Sequence, residues 1–205
     1  MEPLDPVEVR VLGALLEKES TTPEYYPLTL NALFNACNQK SSREPVVDYD
    51  ETTVSEALSR LRHKGLALKV SGAGHRVEKY AHSLGESLNL GRREAALLQL
   101  LMLRGLQTVG ELRGRSGRVY EFAELEEVES CLASLAGREP APLVARLPRG
   151  RWCHLLGGPQ DYAEPAAAAS SPTRAASDLE DRVEALEREV AELKQTLASF
   201  RRQFE

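Results

Sequence analysis

The chain has 205 residues, enough for one or two domains with a real core. Apolar residues make up 42% and charged residues 28%, a globular balance that excludes wholesale disorder. A net charge of −5 weighs against strong non-specific binding to nucleic acid.

No apolar run approaches the ~18 residues that a membrane helix needs. The start, MEPLDPVEVR, has neither a basic stretch nor an apolar one after it, so no signal peptide is expected. Cys37, Cys131 and Cys153 are too scattered for a disulfide framework or a zinc site. The expectation is a cytoplasmic protein that engages no membrane and carries no metal or cofactor. The acidity is uneven: residues 1–84 carry −2, residues 85–158 carry +1 and residues 159–205 carry −4.

Asp5 is placed to cap a first helix, with Pro6 at its first position and Glu8 three residues after the cap. Val7, Val11, Leu12 and Leu15 share one apolar face, and the helix is expected to end near Glu19. Pro23 and Pro27 punctuate a loop, and Thr29 can cap a short helix through about Asn38. A polar loop, Gln39 to Pro45, leads to a third helix from about Glu51 to Lys64, stopped by Gly65. Its inward face is Val54, Ala57, Leu58 and Leu61. Two strand-like runs follow, Leu66–Ser71 and Val77–Ala81, around the turn 72–75.

The same order then recurs. Residues 92–104 form a helix closed by Gly105, Thr108 caps a short helix to about Arg115, and residues 124–137 form a third helix closed by Gly137. Leu143–Leu147 and Arg151–Leu155 make a hairpin around Pro148-Arg149-Gly150. Glu8, Val11, Leu12, Leu15 and Lys18 match Glu94, Leu97, Leu98, Leu101 and Arg104 at an offset of 86. Val54, Ala57, Leu58, Leu61 and Lys64 match Val128, Cys131, Leu132, Leu135 and Arg138 at an offset of 74. The chain therefore reads as an internal duplication whose first copy carries 12 extra residues, in the 20–50 region.

A helix-helix-helix-hairpin order in ~80 residues describes a helix-turn-helix with a β-wing. The predicted fold is α+β and mainly α. It comprises a winged helix over 1–84, a second over 85–158, an Ala/Ser/Pro linker over 159–177 and a coiled-coil helix over 178–205. In that helix Leu179, Val183, Leu186, Val190, Leu193, Leu197, Phe200 and Phe204 are spaced alternately by four and three, an unbroken heptad seam. The alternative is a single helix packed on the body. A strict seam favours self-association, so a homodimer through the tail is expected. The flanking charges suit parallel and antiparallel pairing alike.

Several long motifs are specific. PLTLNALFNACNQKSSREPV (27–46), the Val-Ser-Gly-x-Gly-x-Arg-Val-x-Lys-Tyr stretch (70–80), LRGLQTVGELRGRS (103–116) and EFAELEEVESCLASLAGRE (121–139) together resemble the YceH family of bacterial proteins. The resemblance covers about residues 1–157. It implies two winged-helix domains and no particular activity, so no catalytic residue is carried over; the linker and heptad tail look like an appendage.

Three classes of function follow. The first is binding of double-stranded DNA, since a winged helix lays its third helix in the major groove. The exposed side of 51–64 offers Thr52, Ser55, Glu56, Ser59 and His63, flanked by Arg60, Arg62 and Lys64, with Lys69, His75, Arg76 and Lys79 on the wing. Gln39, Lys40 and Arg43, in the stretch that the first copy adds, are expected to face outward beside this helix. The competing reading is that amides and hydroxyls so dense satisfy the loop backbone internally. The second copy carries Glu121, Glu124, Glu126, Glu127 and Glu129 at its third helix, which phosphates would repel. It is expected to bind a protein partner or to pack on the first copy.

The second class is a protein-interaction adaptor without DNA binding. The third, an enzyme, is disfavoured: no phosphate-cradling glycine motif, paired-histidine helix or nucleophile elbow occurs. Cys37 reads as core.

Overall fold

The computed structural model describes residues 2–70 and 77–158. All belong to one compact unit, Met1–Gln160. The turn 72–75, Arg76, the linker and the heptad seam lie outside the described residues.

The fold begins with the expected reciprocal cap. Asp5 Oδ1 accepts from the Glu8 N–H and Glu8 Oε2 from the Asp5 N–H, both at 2.8 Å, and helix α1 runs Pro6–Thr21. After a 3-10 turn, Pro23–Tyr25, a two-residue strand β1, Leu28–Thr29, meets helix α2, Leu30–Cys37. Thr29 both closes the strand and caps the helix, its Oγ1 accepting from the Ala32 N–H at 3.2 Å. Asp50 caps helix α3, Glu51–His63, whose Val54, Ala57, Leu58 and Leu61 are all buried. Strands β2, Ala67–Val70, and β3, Lys79–His82, follow. The sheet is antiparallel in the order β1-β3-β2, with Tyr80 opposite Leu28 and His82 opposite Ala67.

A short helix α4, Leu84–Ser87, leads into the repeat: helix α5, Arg92–Arg104, strand β4, Gln107–Thr108, and helices α6, Val109–Ser116, and α7, Leu125–Ala136. Strands β5, Val144–Arg146, and β6, Arg151–His154, complete a second sheet in the order β4-β6-β5. The registers correspond: Trp152 lies opposite Gln107 as Tyr80 lies opposite Leu28, and His154 opposite Val144 as His82 lies opposite Ala67. The chain is thus α+β with two small antiparallel sheets.

The three longer helices of each repeat form where caps and periodicity place them, while α4, which has no side-chain cap, is not among those expected. The strands β1 and β4 escape such reading because two residues show no alternation. Gly65 and Gly105, at the ends of α3 and α5, have φ of +69° and +68°, the left-handed conformation that favours glycine. Gly137 closes α7 with φ −87° instead, an ordinary turn. β1 and α2 stand 79 residues before β4 and α6, so seven of the 12 added residues lie between α1 and α2 and five between α2 and α3.

The two repeats share one apolar core. Helix α1 is buried on every side from Glu8 to Leu16, and α5 from Ala96 to Leu103, because the two pack on each other as well as on their own repeats. Gly13 makes the approach possible: a Cβ there would lie 3.0 Å from Leu103 Cδ2 and 3.2 Å from Met102 Cβ. Among the described residues two backbone bonds cross between repeats, Leu4 N–H to Leu156 O at 2.8 Å and Glu44 N–H to Leu103 O at 2.9 Å. Gly13→Val places two methyl groups in this contact. It is expected to destabilise the protein by about 1–3 kcal/mol in chemical denaturation, despite valine's better helix propensity than glycine.

Candidate nucleic-acid interface

α3 is amphipathic. Burial of Val54, Ala57, Leu58 and Leu61 leaves Thr52, Ser55, Glu56 and Arg62 exposed on the other side, with Ser59 half-buried. Asp50 Oδ1 accepts from the Thr53 N–H at 2.6 Å, fixing the N-terminal end of the helix. Among the described residues Arg62 forms no salt bridge, and its charge is the smallest of the causes that hold the Glu78 carboxyl below its usual range. The hydrogen bonds from Lys69 and the Tyr80 hydroxyl are the larger causes of that shift. Lys69 is ion-paired with Glu78, and Lys79 is half-buried on β3.

Two of the predicted basic contacts serve the fold. Lys64 Nζ lies 2.8 Å from Glu8 Oε2 and donates to Pro3 O at 3.0 Å, and its side chain is 14% exposed. Arg60 reaches Asp5 at 2.8 Å and Glu8 at 3.4 Å. Glu8 is only 1% exposed, and these cations supply its charge partners. The repeat does the same with Glu94 and Arg138, 3.6 Å apart. Each copy therefore ties the first turn of its first helix to the end of its third. Sequence reasoning aligned these four residues as matching positions but not as two pairs.

The added loop requires a correction. Arg43 does not face outward; its side chain is fully buried. Its guanidinium donates to both Glu17 oxygens, at 3.0 and 2.6 Å, to Ala36 O at 3.2 and 2.9 Å, to Gln39 Oε1 at 3.0 Å and to Ser42 O at 2.9 Å. Glu17 is the reason: a carboxylate on α1, 26 residues away, offers the planar guanidinium a two-pronged partner. Gln39 is half-buried in the same cluster, where Lys18 Nζ also donates to it at 3.3 Å. Lys40 alone of the three is exposed. Asn38 clasps Tyr49 through two bonds, 2.8 and 2.9 Å, closing the loop at its base. The loop leans on the second repeat, where Arg104 Nη2 donates to Ser42 Oγ at 2.7 Å. A further buried cation, Arg10, donates to Cys37 O and Pro45 O and escaped sequence reasoning altogether.

Arg76 and the seam residues Leu179 to Phe204 lie outside the described residues. In the second repeat Glu124, Glu126 and Glu129 are exposed, while Glu127 is held by Arg93 at 3.2 Å, the Tyr120 hydroxyl at 3.2 Å and the Ala123 N–H at 3.1 Å. Arg113 is spent on the Phe122 and Ala123 carbonyls rather than on these acids. Cys37 is buried, and burial pushes its thiol up to about 12, so it is no thiolate at neutral pH. No helix among the described residues is long and apolar enough to cross a membrane.

These features define an α+β protein built from two copies of one small unit, joined at their first helices. The chain belongs to the family described as "Protein of unknown function, DUF480", which matches residues 4–151. It is 56% identical to a UPF0502 protein of Solibacter usitatus, over 98% of both chains. It is 52% identical to one of Citrifermentans bemidjiense, over 92% of this chain and 88% of the other. It is 48% identical to the UPF0502 protein YceH of Salmonella paratyphi B, over 96% and 95%. The resemblance to the YceH family carried by the four motifs is therefore a membership.

The Arg43–Glu17 pair makes a pH prediction. Burial alone would raise the Glu17 carboxyl; the hydrogen bonds and charge of Arg43 outweigh it and hold the group below 4.5. Its contribution to stability is then full above that value and is lost as pH falls through the lowered one. Arg43→Met leaves Glu17 buried without this partner and is expected to cost about 3–5 kcal/mol near neutral pH. Because the unpaired carboxyl prefers its neutral form, the gap to the parent protein should narrow as pH falls toward about 4 in urea titrations.

Proposed function

We propose that the first copy is a winged helix that binds double-stranded DNA, with α3 in the major groove and the β2–β3 hairpin on the backbone. The protein acts in the cytoplasm, without catalysis, and self-associates as a homodimer through residues 178–205. The carrying observation is the outer face of α3: small hydroxyls at Thr52 and Ser55, the acceptor Glu56 and the cation Arg62 all stand exposed, opposite a fully buried apolar face. Small side chains permit close approach to base edges, a carboxylate accepts from a cytosine amino group, and arginine holds a phosphate or guanine. With Arg43 buried, and with Arg60 and Lys64 paired to acids, the basic rim reduces to Arg62, Lys79, Lys40 and the wing. So small a rim fits weak phosphate anchoring and dependence on a paired half-site.

A second reading is favoured by Leu125, which is 43% exposed at the start of α7, between Glu124 and Glu126 and four residues before Glu129. An apolar side chain flanked by acids suits a partner protein with a basic rim and an apolar centre, and the chain is then an adaptor.

The test is retardation of a genomic fragment pool by the full chain at several salt concentrations. DNA binding predicts a steep salt dependence. Arg62→Ala and Lys79→Ala should each weaken binding and lower the logarithmic salt slope by about 1, while Arg93→Ala on the second repeat leaves both unchanged. Absence of retardation at low salt rejects the DNA reading in favour of the adaptor.

A further inference from the structure

A recess of about 450 Å³ opens where the added loop, α1, α5 and α6 converge. It has three properties that the fold does not require. Cations crowd it: Lys18, Arg104, Arg115 and Arg118 line it, in a protein whose net charge is −5. The single lining carboxylate, Glu17, is already taken by Arg43 from beneath and by Lys18 at 3.4 Å. Arg115 is shared with Glu111 at 3.3 Å and with Gln107 Oε1 at 2.9 Å, but Arg118 is exposed and makes no hydrogen bond or ion pair among the described residues. The positive charge in the recess is thus only partly balanced.

The second property is unsatisfied polarity. Gln99 is 1% exposed, lines the recess, and its Oε1 has no hydrogen-bond partner. Arg104 Nε is also buried and unpartnered, although its Nη2 holds Ser42. A buried amide oxygen and a buried guanidinium N–H left unmade each cost free energy, and in native proteins an ordered water, an ion or a ligand completes such groups. The third property is an apolar wall, formed by Leu100, Leu103 and Val119.

We propose that this recess binds a small phosphorylated molecule of about nucleotide size. Its doubly charged phosphate would sit among Arg104, Arg115, Arg118 and Lys18, a donor group would meet Gln99 Oε1, and its apolar or aromatic part would lie on the leucine wall. A phosphate monoester suits the site better than a carboxylate, because three guanidiniums and an ammonium face the recess and arginine forks match phosphate oxygens. The volume falls in the range of small-molecule sites. The first copy owns the loop that builds one side of the recess, so the extra length of that copy has a use that does not depend on α3 or on DNA.

The test is calorimetric titration of the full chain with inorganic phosphate, with AMP and with a short DNA duplex. The expected result is saturable binding of one AMP per chain, with inorganic phosphate competing more weakly. Arg118→Ala breaks no hydrogen bond or ion pair among the described residues and should lower AMP affinity about tenfold, as should Lys18→Ala, while Arg93→Ala leaves it unchanged. The proposal is overturned if neither AMP nor phosphate binds at millimolar concentration, or if Arg118→Ala and Lys18→Ala bind AMP as the parent does. It is equally overturned if the duplex is the only probe whose binding depends on Arg118, which would assign these cations to a nucleic-acid backbone. DNA binding through α3 can succeed or fail independently of each of these results.

Discussion

The contact between α1 and α5 governs the rest of the molecule. Each is the first helix of its repeat, and each must bury one face against its own α2–α3 or α6–α7 pair. By packing on each other they bury the opposite face too, which is why both are apolar nearly all round at their centres. Gly13 brings the axes close enough for Leu103 and Met102 to interlock with α1. Fully burying a leucine contributes roughly 1.5–3 kcal/mol, so the several leucines at this contact outweigh any single surface interaction. The packing also decides what is left over: α3 keeps an open outer face, and the added loop comes to rest on the second repeat.

Charge is deployed around that frame in a way that its net value conceals. Glu8 and Glu94 sit in the first turns of the two first helices, where the positive end of the helix favours them. Each draws a cation from the end of the third helix, Lys64 or Arg138. Arg43 and Arg10 pin the added loop from inside by gathering carbonyl oxygens of the end of α2 and of the loop, Ala36, Cys37, Ser42 and Pro45. Much of the basic charge of the first copy is therefore structural. Among the described residues, the α3–hairpin side and the recess beneath the loop are two places where basic side chains remain for a partner.

Helices and their ends were legible in the sequence because caps, glycines and a 3.6-residue period are local signals. Thr29 and Thr108 read correctly as caps, but the strands they close did not, since pairing with Tyr80 and Trp152 is written far away in the chain. The duplication was legible for the same reason as the helices, and the registers of the two sheets match it position by position. Arg43 misled because its neighbours Ser41, Ser42 and Glu44 are those of a surface loop, while Glu17, the partner that buries it, lies 26 residues earlier. Arg60 and Lys64 misled similarly, with partners 55 and 56 residues away. A charge can be counted locally; whether it is spent depends on the fold. The heptad seam, the clearest periodicity in the chain, lies outside the described residues.

If α1 and α5 form one shared core, the two repeats cannot open separately. Residue-resolved amide exchange measures this directly. The account predicts that the central amides of α1, Val9–Leu16, and of α5, Ala96–Leu103, exchange with the same opening free energy, equal to that of global unfolding. Exchange of one helix through an opening several kcal/mol below the other, with its repeat unfolded and the other intact, would contradict it.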